Sequence, residues 1–367
     1  MRKKILIIGS TGKLGTKLLN ICSRNNISVD AITCFNDVKK IEKQSAKYNV
    51  KIKFCLSNKY EISLFNKYLS STKLSLVYIL DFGSYSLSYF EFLIKYQRNC
   101  IFAVANKEVI IAGGHLLQKK IKDTSNFFIP LDSEHYSLIN NNIIQDNINK
   151  IFITASGGPF YYNKSINLSE VSLKDVLNHP KWKMGTNNLI DSSNFINKIL
   201  EIYELSYIFN IDLKKISFLI NSEAYIHSIV HFKDHIISIN CFLNDMNIPL
   251  AKPLTSIFKE ISLQKLKDKN YLTTNNLKLD VFEDKRFSIY KYFTYLKKLN
   301  HKKQIQFMLL NNRAQSLYLN NKIKYKDLVP FIIRNLKRNY KFKKLNTFND
   351  ILKYIYFVKS HVNLINK

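Results

Sequence analysis

An apolar run, Ile5 to Ile8 in KILIIGSTGKLG, is followed at once by Gly9, Gly12 and Gly15 and then by the amphipathic stretch TKLLNICSRN. This constrains the fold more than any other feature of the chain. A strand ending in such a loop and opening a helix lets the backbone approach a pyrophosphate, whose charge sits at the helix N-terminus. The spacing is G-x-x-G-x-x-G, so by itself the motif also admits an ordinary glycine-rich turn. The apolar runs that follow, ISVDAITC, VKIKFCLS, LSLVYIL, CIFAVAN and FFIPL, are separated by helical patterns. Strands alternating with helices predict a doubly wound parallel α/β sheet, which we place at residues 1–130 as a dinucleotide-binding domain.

Beyond it the texture changes. KIFITASGGPF reads as strand then turn, and SSNFINKILEIYELSYIF as one long amphipathic helix. ISFLINS, IHSIVHFK and IISINCF read as strands of a second sheet, the last two in antiparallel alternation. We expect an α+β catalytic domain at 131–265, a polar linker at 266–290 and a small Lys-rich helical domain at 291–367.

The net charge of +29 raises a nucleic-acid reading. The lysines are spread along the whole chain and no DNA- or RNA-binding motif accompanies them, which argues against it. Such a field attracts phosphorylated ligands. The five cysteines form no C-x-x-C pair, as expected of free thiols in the cytoplasm. No apolar run approaches the roughly eighteen residues of a membrane span.

Three polar clusters carry chemistry. IPLDSEHYSL places Asp132 and Glu134 two apart; in an extended segment they point the same way. With a third carboxylate they form an all-oxygen site for a hard divalent cation. The alternative is a turn with a helix cap. HPKWKMG (His179 to Gly185) carries the only tryptophan, Trp182, in what reads as a mobile loop able to close over a ligand. In DSSNFINKILE, Ser192 reads as lying at a helix start, placed for a cap or a phosphate. Asn197, Lys198 and Glu201 stand at i, i+1 and i+4, which makes Glu201 the candidate third carboxylate. Strand two ends in Cys34, Phe35 and Asn36 with Lys39 and Lys40 behind. The absence of an acid at its tip favours NADP over NAD.

GSTGKLG, ANKE (105–108), LDSEH, TASGGPF, HPKWKMG and DSSNFINKILE together resemble, in order, the 1-deoxy-D-xylulose 5-phosphate reductoisomerase family. The resemblance runs from about residue 5 to 250 and continues more weakly to the C-terminus. It implies an NADPH- and Mg2+- or Mn2+-dependent enzyme. Such an enzyme rearranges and reduces 1-deoxy-D-xylulose 5-phosphate to 2-C-methyl-D-erythritol 4-phosphate in non-mevalonate isoprenoid synthesis, and the family is homodimeric. By motif match Asp132, Glu134 and Glu201 would hold the metal and, with Lys107, form the catalytic set. Lys107, Ser133, Glu134, Ser156, Asn197 and Glu201 would bind substrate, with His179, Ser192 and Lys198 at its phosphate. Thr11, Gly12, Lys13, Leu14, Asn36, Asn106, Glu108 and Gly185 would contact NADPH.

The chain departs from the family at several positions. Lys13 replaces a small Ser, Thr33–Cys34 an Ala–Gly pair, Asn194 a Thr and Ile199 a Gly. Thr186–Asn187–Asn188 lacks a basic residue, and LNNRAQ stands where the family has a more acidic N-A-A-N-E. Two other readings compete. A different NADP-dependent dehydrogenase, of semialdehyde or homoserine type, gives no reason for three carboxylates beside a phosphate site. An inactive relative kept as a binding protein is opposed by the intact Asp132, Glu134, Glu201, Lys198 and His179.

Overall fold

The computed structural model describes residues 3–141, 143–181, 184–263 and 277–365. The chain runs β1 (Ile5–Ile8), α1 (Lys13–Arg24), β2 (Ala31–Cys34), α2 (Val38–Tyr48), β3 (Ile52–Cys55), α3 (Lys59–Ser71) and β4 (Leu76–Ile79). It continues α4 (Leu87–Tyr96), β5 (Ile101–Val104), α5 (Lys107–Lys122), β6 (Phe127–Pro130) and α6 (Ser133–Tyr136). Then come β7 (Ile148–Ala155), α7 (Leu173–Leu177), α8 (Thr186–Ser193), α9 (Ile196–Phe209), β8 (Ile216–Ile220), β9 (Ile226–Phe232), β10 (Ile237–Cys241) and α10 (Asn247–Thr255). The last elements are β11 (Asp280–Val281), α11 (Ser288–Leu296), α12 (His301–Leu319), α13 (Leu328–Leu336) and α14 (Phe348–Asn363).

Two compact units emerge, Met1–Ile139 with Asp245–Lys269, and Asn140–Asn244 with Asn270–Lys367. In the first, six strands pair in the order β3-β2-β1-β4-β5-β6, all parallel, as expected from the alternation. Helices cover a parallel sheet on both faces, so its strands read as unbroken apolar runs; β1, β2 and β4 are wholly buried. Strand order reverses between β1 and β4, where doubly wound folds open a ligand crevice at the carboxyl ends of the strands. Ile5, Ile7, Leu18, Ile32 and Tyr78 form the core with Leu250 and Leu254 of α10. The Tyr78 hydroxyl donates to the Leu250 carbonyl at 2.7 Å, which ties this late helix to the first unit.

In the second unit five strands pair in the order β10-β9-β7-β8-β11. β9 and β10 are antiparallel, as their alternation predicts, while β7 and β8 are parallel. Of the stretch expected as a linker, 266–276 lies outside the described residues; beyond it, Asp280–Val281 pairs with β8. No helix among the described residues is long and apolar enough to cross a membrane.

Two local expectations change. DSEH is not extended: Asp132 is, but the backbone turns helical at Ser133, and the Tyr136 amide donates to the Asp132 carbonyl at 2.8 Å. Period-two alternation therefore does not relate Asp132 to Glu134. SSNFINKILE is not one helix. The chain breaks at Asn194 and Phe195, the latter left-handed at φ 65°. A bulky residue in that region is strained. Here the Phe195 ring packs 4.4 Å from Phe282 and 4.9 Å from Phe287 (centroid distances), and this burial offsets the strain. Ser192 consequently lies at the end of α8 rather than at a helix start. α9 is buried almost all round, including Lys198, Glu201 and Glu204, and is not amphipathic.

Candidate active site

The glycine-rich loop is held from three sides. Gly9 has φ +82°, and a Cβ there would lie 2.6 Å from the Asp81 backbone nitrogen, so only glycine fits. The Gly9 amide donates to Thr33 Oγ1 at 3.1 Å, which gives a role to a residue that departs from the family pattern. Gln44 reaches over from α2: its amide donates to the Ser10 carbonyl at 2.9 Å and accepts from Ser10 Oγ at 2.8 Å. Gly12 caps α1 without a side chain; it and Lys13 are exposed, and Thr11 and Leu14 half-buried. Asn36, Lys39 and Lys40 are exposed at the β2 tip, and Asp37 is used locally, accepting from the Lys40 amide at 3.1 Å to cap α2.

Behind the loop, just past β4, sits Asp81, a half-buried carboxylate that no sequence motif singles out. Asp81 accepts from Ser86 Oγ at 2.6 Å, from Asn106 Nδ2 at 3.2 Å and from the Tyr89 hydroxyl. Burial pushes its carboxyl up to about 6, although the Ser86 and Asn106 hydrogen bonds oppose this. Asn106 also caps α5 through the Val109 amide at 3.0 Å, so its side chain is committed to the loop scaffold. Glu108 is buried in the first turn of that helix.

The same helix start delivers Lys107, whose Nζ lies 3.3 Å from Asp132 Oδ2. His135 Nδ1 approaches the other Asp132 oxygen at 3.7 Å. Burial disfavours the Asp132 carboxylate, but Lys107 and then His135 outweigh it and hold the group well below the usual range. An ionised carboxylate of this kind is ready for a cation. Ser133 donates its hydroxyl to the Glu134 carboxylate beside it.

The second unit assembles the other residues. His179 Nε2 stands 3.2 Å from Ser156 Oγ and 3.1 Å from Ser192 Oγ. Burial first, then Lys198, depresses the imidazole to about 4. Gly158 has φ +61°, and a Cβ would come within 3.0 Å of the Ser192 carbonyl, so the turn after β7 nests against the end of α8. On α9 Lys198 Nζ lies 2.5 Å from Glu201 Oε2, and Asn197 donates to the other Glu201 oxygen. Lys198 and Glu201 are 7% and 2% exposed, so theirs is a buried pair and not a solvated surface one. Gly185 caps the start of α8 in open space. Trp182, expected to close over substrate, lies outside the described residues.

Two residues of the first-unit scaffold, Gln44 and Asp81, had no sequence signal, because neither stands at a motif spacing; Thr33 was in view only as a departure from the family pattern. His135 was in view only as part of DSEH.

Two family models match the chain: 1-deoxy-D-xylulose 5-phosphate reductoisomerase over residues 5–84, and the C-terminal domain of that enzyme over 128–209. The reductoisomerase of Pelagibacter ubique is 34% identical over 95% of this chain and 95% of its own length. That of Agathobacter rectalis is 29% identical over 90% and 91%. Among solved structures, a DOX-P reductoisomerase in complex with NADPH, fosmidomycin and magnesium superposes with a TM-score of 0.83 at 23% identity, covering 98% of this chain and 97% of that one. The Zymomonas mobilis enzyme in complex with NADPH also gives 0.83, at 20% identity over 99% and 98%. A full-length match at this identity, joined to the doubly wound sheet and the Ser156–His179–Ser192 cluster, means that the chain belongs to the 1-deoxy-D-xylulose 5-phosphate reductoisomerase family.

Proposed function

We infer that this chain converts 1-deoxy-D-xylulose 5-phosphate to 2-C-methyl-D-erythritol 4-phosphate, using NADPH and a divalent metal, Mg2+ or Mn2+. The observation that carries the reading is α9 with its neighbours. A buried lysine, Lys198, and a buried carboxylate, Glu201, emerge from one helix turn beside a neutral histidine and two serine hydroxyls. That set fits a phosphorylated sugar at one end and a metal-chelated polyol at the other.

In this reading Asp132, Glu134 and Glu201 carry the metal, and an all-oxygen donor set suits Mg2+ or Mn2+. The cofactors supply Lewis acidity at the substrate's carbonyl and hydroxyl oxygens and a hydride for the reduction. Lys107 keeps Asp132 ionised and stands close to the reacting oxygens. Ser133, Ser156 and Asn197 orient the substrate by hydrogen bonds. Lys198, Ser192 and His179 take the phosphate, His179 as a neutral partner and Lys198 as its charge-assisted donor. Phosphate binding remote from the reacting carbons can then serve orientation. Thr11 to Leu14, Asn36, Asn106, Glu108 and Gly185 line the NADPH side. The fit of the loop rests on Gly9 and Gly12, which leave backbone open to a pyrophosphate at the start of α1.

The assembly in this reading is a homodimer. β10 is the edge of the second sheet and presents Ile237 and Ile239, 59% and 51% exposed, on one face. An apolar edge strand left open favours pairing with another chain. Ile239→Lys should shift the sedimentation of the protein toward the monomer. A cytoplasmic location agrees with five cysteines that are all free thiols.

The test is direct. The purified chain should oxidise NADPH only when both the phosphorylated substrate and Mg2+ or Mn2+ are present, and the product should be the branched phosphate. NADPH oxidation that ignores chelation of the metal would refute the reading.

A further inference from the structure

α12 carries the segment LNNRAQ, for which the sequence offered no role. Its side chains end on the residue before Ser192. Asn311 Nδ2 donates to both carboxylate oxygens of Asp191, at 3.0 Å each. Gln315 Nε2 donates to Asp191 Oδ1 at 2.6 Å and to the Asn187 carbonyl at 3.2 Å. Beyond α12, the Tyr325 hydroxyl donates to the carbonyl of Ser193, the residue after Ser192, at 2.8 Å. All four of these side chains are buried. The Tyr325 ring also meets Phe160 edge-on at 5.5 Å, on the loop that leaves Ser156.

Both neighbours of Ser192 are thus fixed by the C-terminal helical region, and Ser192 itself is left to face His179. α8 cannot fix the hydroxyl alone, because the chain leaves the helix at Asn194. A helix end frays unless something outside it supplies partners. Asn311 and Gln315 sit one helical turn apart, so a single face of α12 grips one carboxylate with two amides. A buried carboxylate with such donors is held in one position, and the backbone on either side of it with it.

We infer that Asn311, Gln315 and Tyr325 are positioning residues for the phosphate subsite, acting through Asp191 and Ser193 on the Ser192 hydroxyl. The C-terminal helices thereby set affinity for the phosphate end of the substrate. This rests on the reading of Ser192 and His179 as that subsite.

The experiment measures calorimetric binding of inorganic phosphate together with the Michaelis constant and turnover for 1-deoxy-D-xylulose 5-phosphate. It compares the parent, Asn311→Ala and Tyr325→Phe, each with Ser192 present and with Ser192→Ala. Tyr325→Phe removes one oxygen and keeps the buried ring, so it stands in if Asn311→Ala fails to fold. A hydrogen bond to a charged group, once loosened, changes binding by up to about a hundredfold. We expect phosphate Kd and KM to rise together by about tenfold in Asn311→Ala and about threefold in Tyr325→Phe. Turnover should change less than about twofold, and both effects should vanish in the Ser192→Ala background, where the positioned group is gone. Unchanged phosphate Kd, no phosphate binding by the parent, or an equal loss without the Ser192 hydroxyl would each overturn the inference. Turnover of the sugar phosphate by the parent tests the catalytic reading separately. A parent that binds phosphate as expected but converts nothing would sink that reading and leave the positioning role standing.

Discussion

Lys107 Nζ and Asp132 Oδ2 lie 3.3 Å apart, and the pairing keeps a half-buried carboxylate ionised just past β6. Under the proposed metal set, its consequence falls on metal binding. Losing a partner of a metal-ligating carboxylate costs about 10–100-fold in metal affinity or activity. Lys107→Met should therefore raise the Mg2+ concentration needed for half-maximal activity by that amount. Glu134→Gln and Glu201→Gln should do so at least as severely, with NADPH affinity unchanged in all three. Normal Mg2+ dependence in Glu201→Gln would remove it from the metal set.

Lys198 should matter chiefly for the phosphorylated substrate. Lys198→Ala deletes a charge-assisted contact of about 1.5–3 kcal/mol, so the Michaelis constant should rise by roughly 10- to 150-fold. Because Lys198 also pairs with Glu201 at 2.5 Å, some loss of turnover should accompany it. Intact binding of the sugar phosphate would contradict the assignment.

His179 is depressed to about 4, from an ordinary 6.5, by burial and then by Lys198. Its ring should stay neutral across the working range, and its imidazole NMR signal should show no titration between about pH 5 and 8. The sign for stability follows: the unfolded chain takes up the proton as pH falls through 6.5 and the folded one only near 4. This residue therefore costs stability on acidification through that window, and His179→Gln should lessen the loss. A ring that titrates near its ordinary value would contradict the buried geometry.

Asp81 acts in the opposite sense. Its carboxyl is raised from 3.8 to about 6, so the folded state keeps a proton that the unfolded chain releases. Stability is lost as pH rises from about 4 to about 6 and is flat above. The ceiling is about 3 kcal/mol for a shift of about two units. Denaturant titrations of Asp81→Asn against the parent at acid and neutral pH should show the variant gaining about 1–3 kcal/mol on going to neutral pH. A gap that does not move with pH would rule out a raised Asp81 carboxyl.

Cofactor choice follows from the β2 tip. With Asn36 exposed, Asp37 engaged as a cap, and Lys39 and Lys40 at the surface, the tip of β2 offers no uncommitted acid for the ribose hydroxyls of NADH. The specificity constant for NADPH should exceed that for NADH, and the gap should shrink in the double variant Lys39→Ala, Lys40→Ala. Equal constants in the parent would refute the preference.

The sequence by itself determined the nucleotide-binding architecture. Ile5 to Ile8 and the glycines that follow encode strand, loop and helix locally, since burial on both faces and positive φ leave direct marks on residue choice. The order of the motifs also fixed the family. The break at Phe195 was not legible, because helical periodicity runs through it. It exists because Phe282 and Phe287, far along the chain, bury the ring. DSEH read as extended for a different reason: four polar residues carry no periodicity to separate a turn from a strand. The partners of Asp191 lie 120 and 124 residues away, and Asn106, which donates to Asp81, lies 25 away. Only tertiary packing decided these. A local pattern records which face of an element avoids water, whereas a buried polar group is specified by whichever distant donor the fold carries within hydrogen-bonding reach.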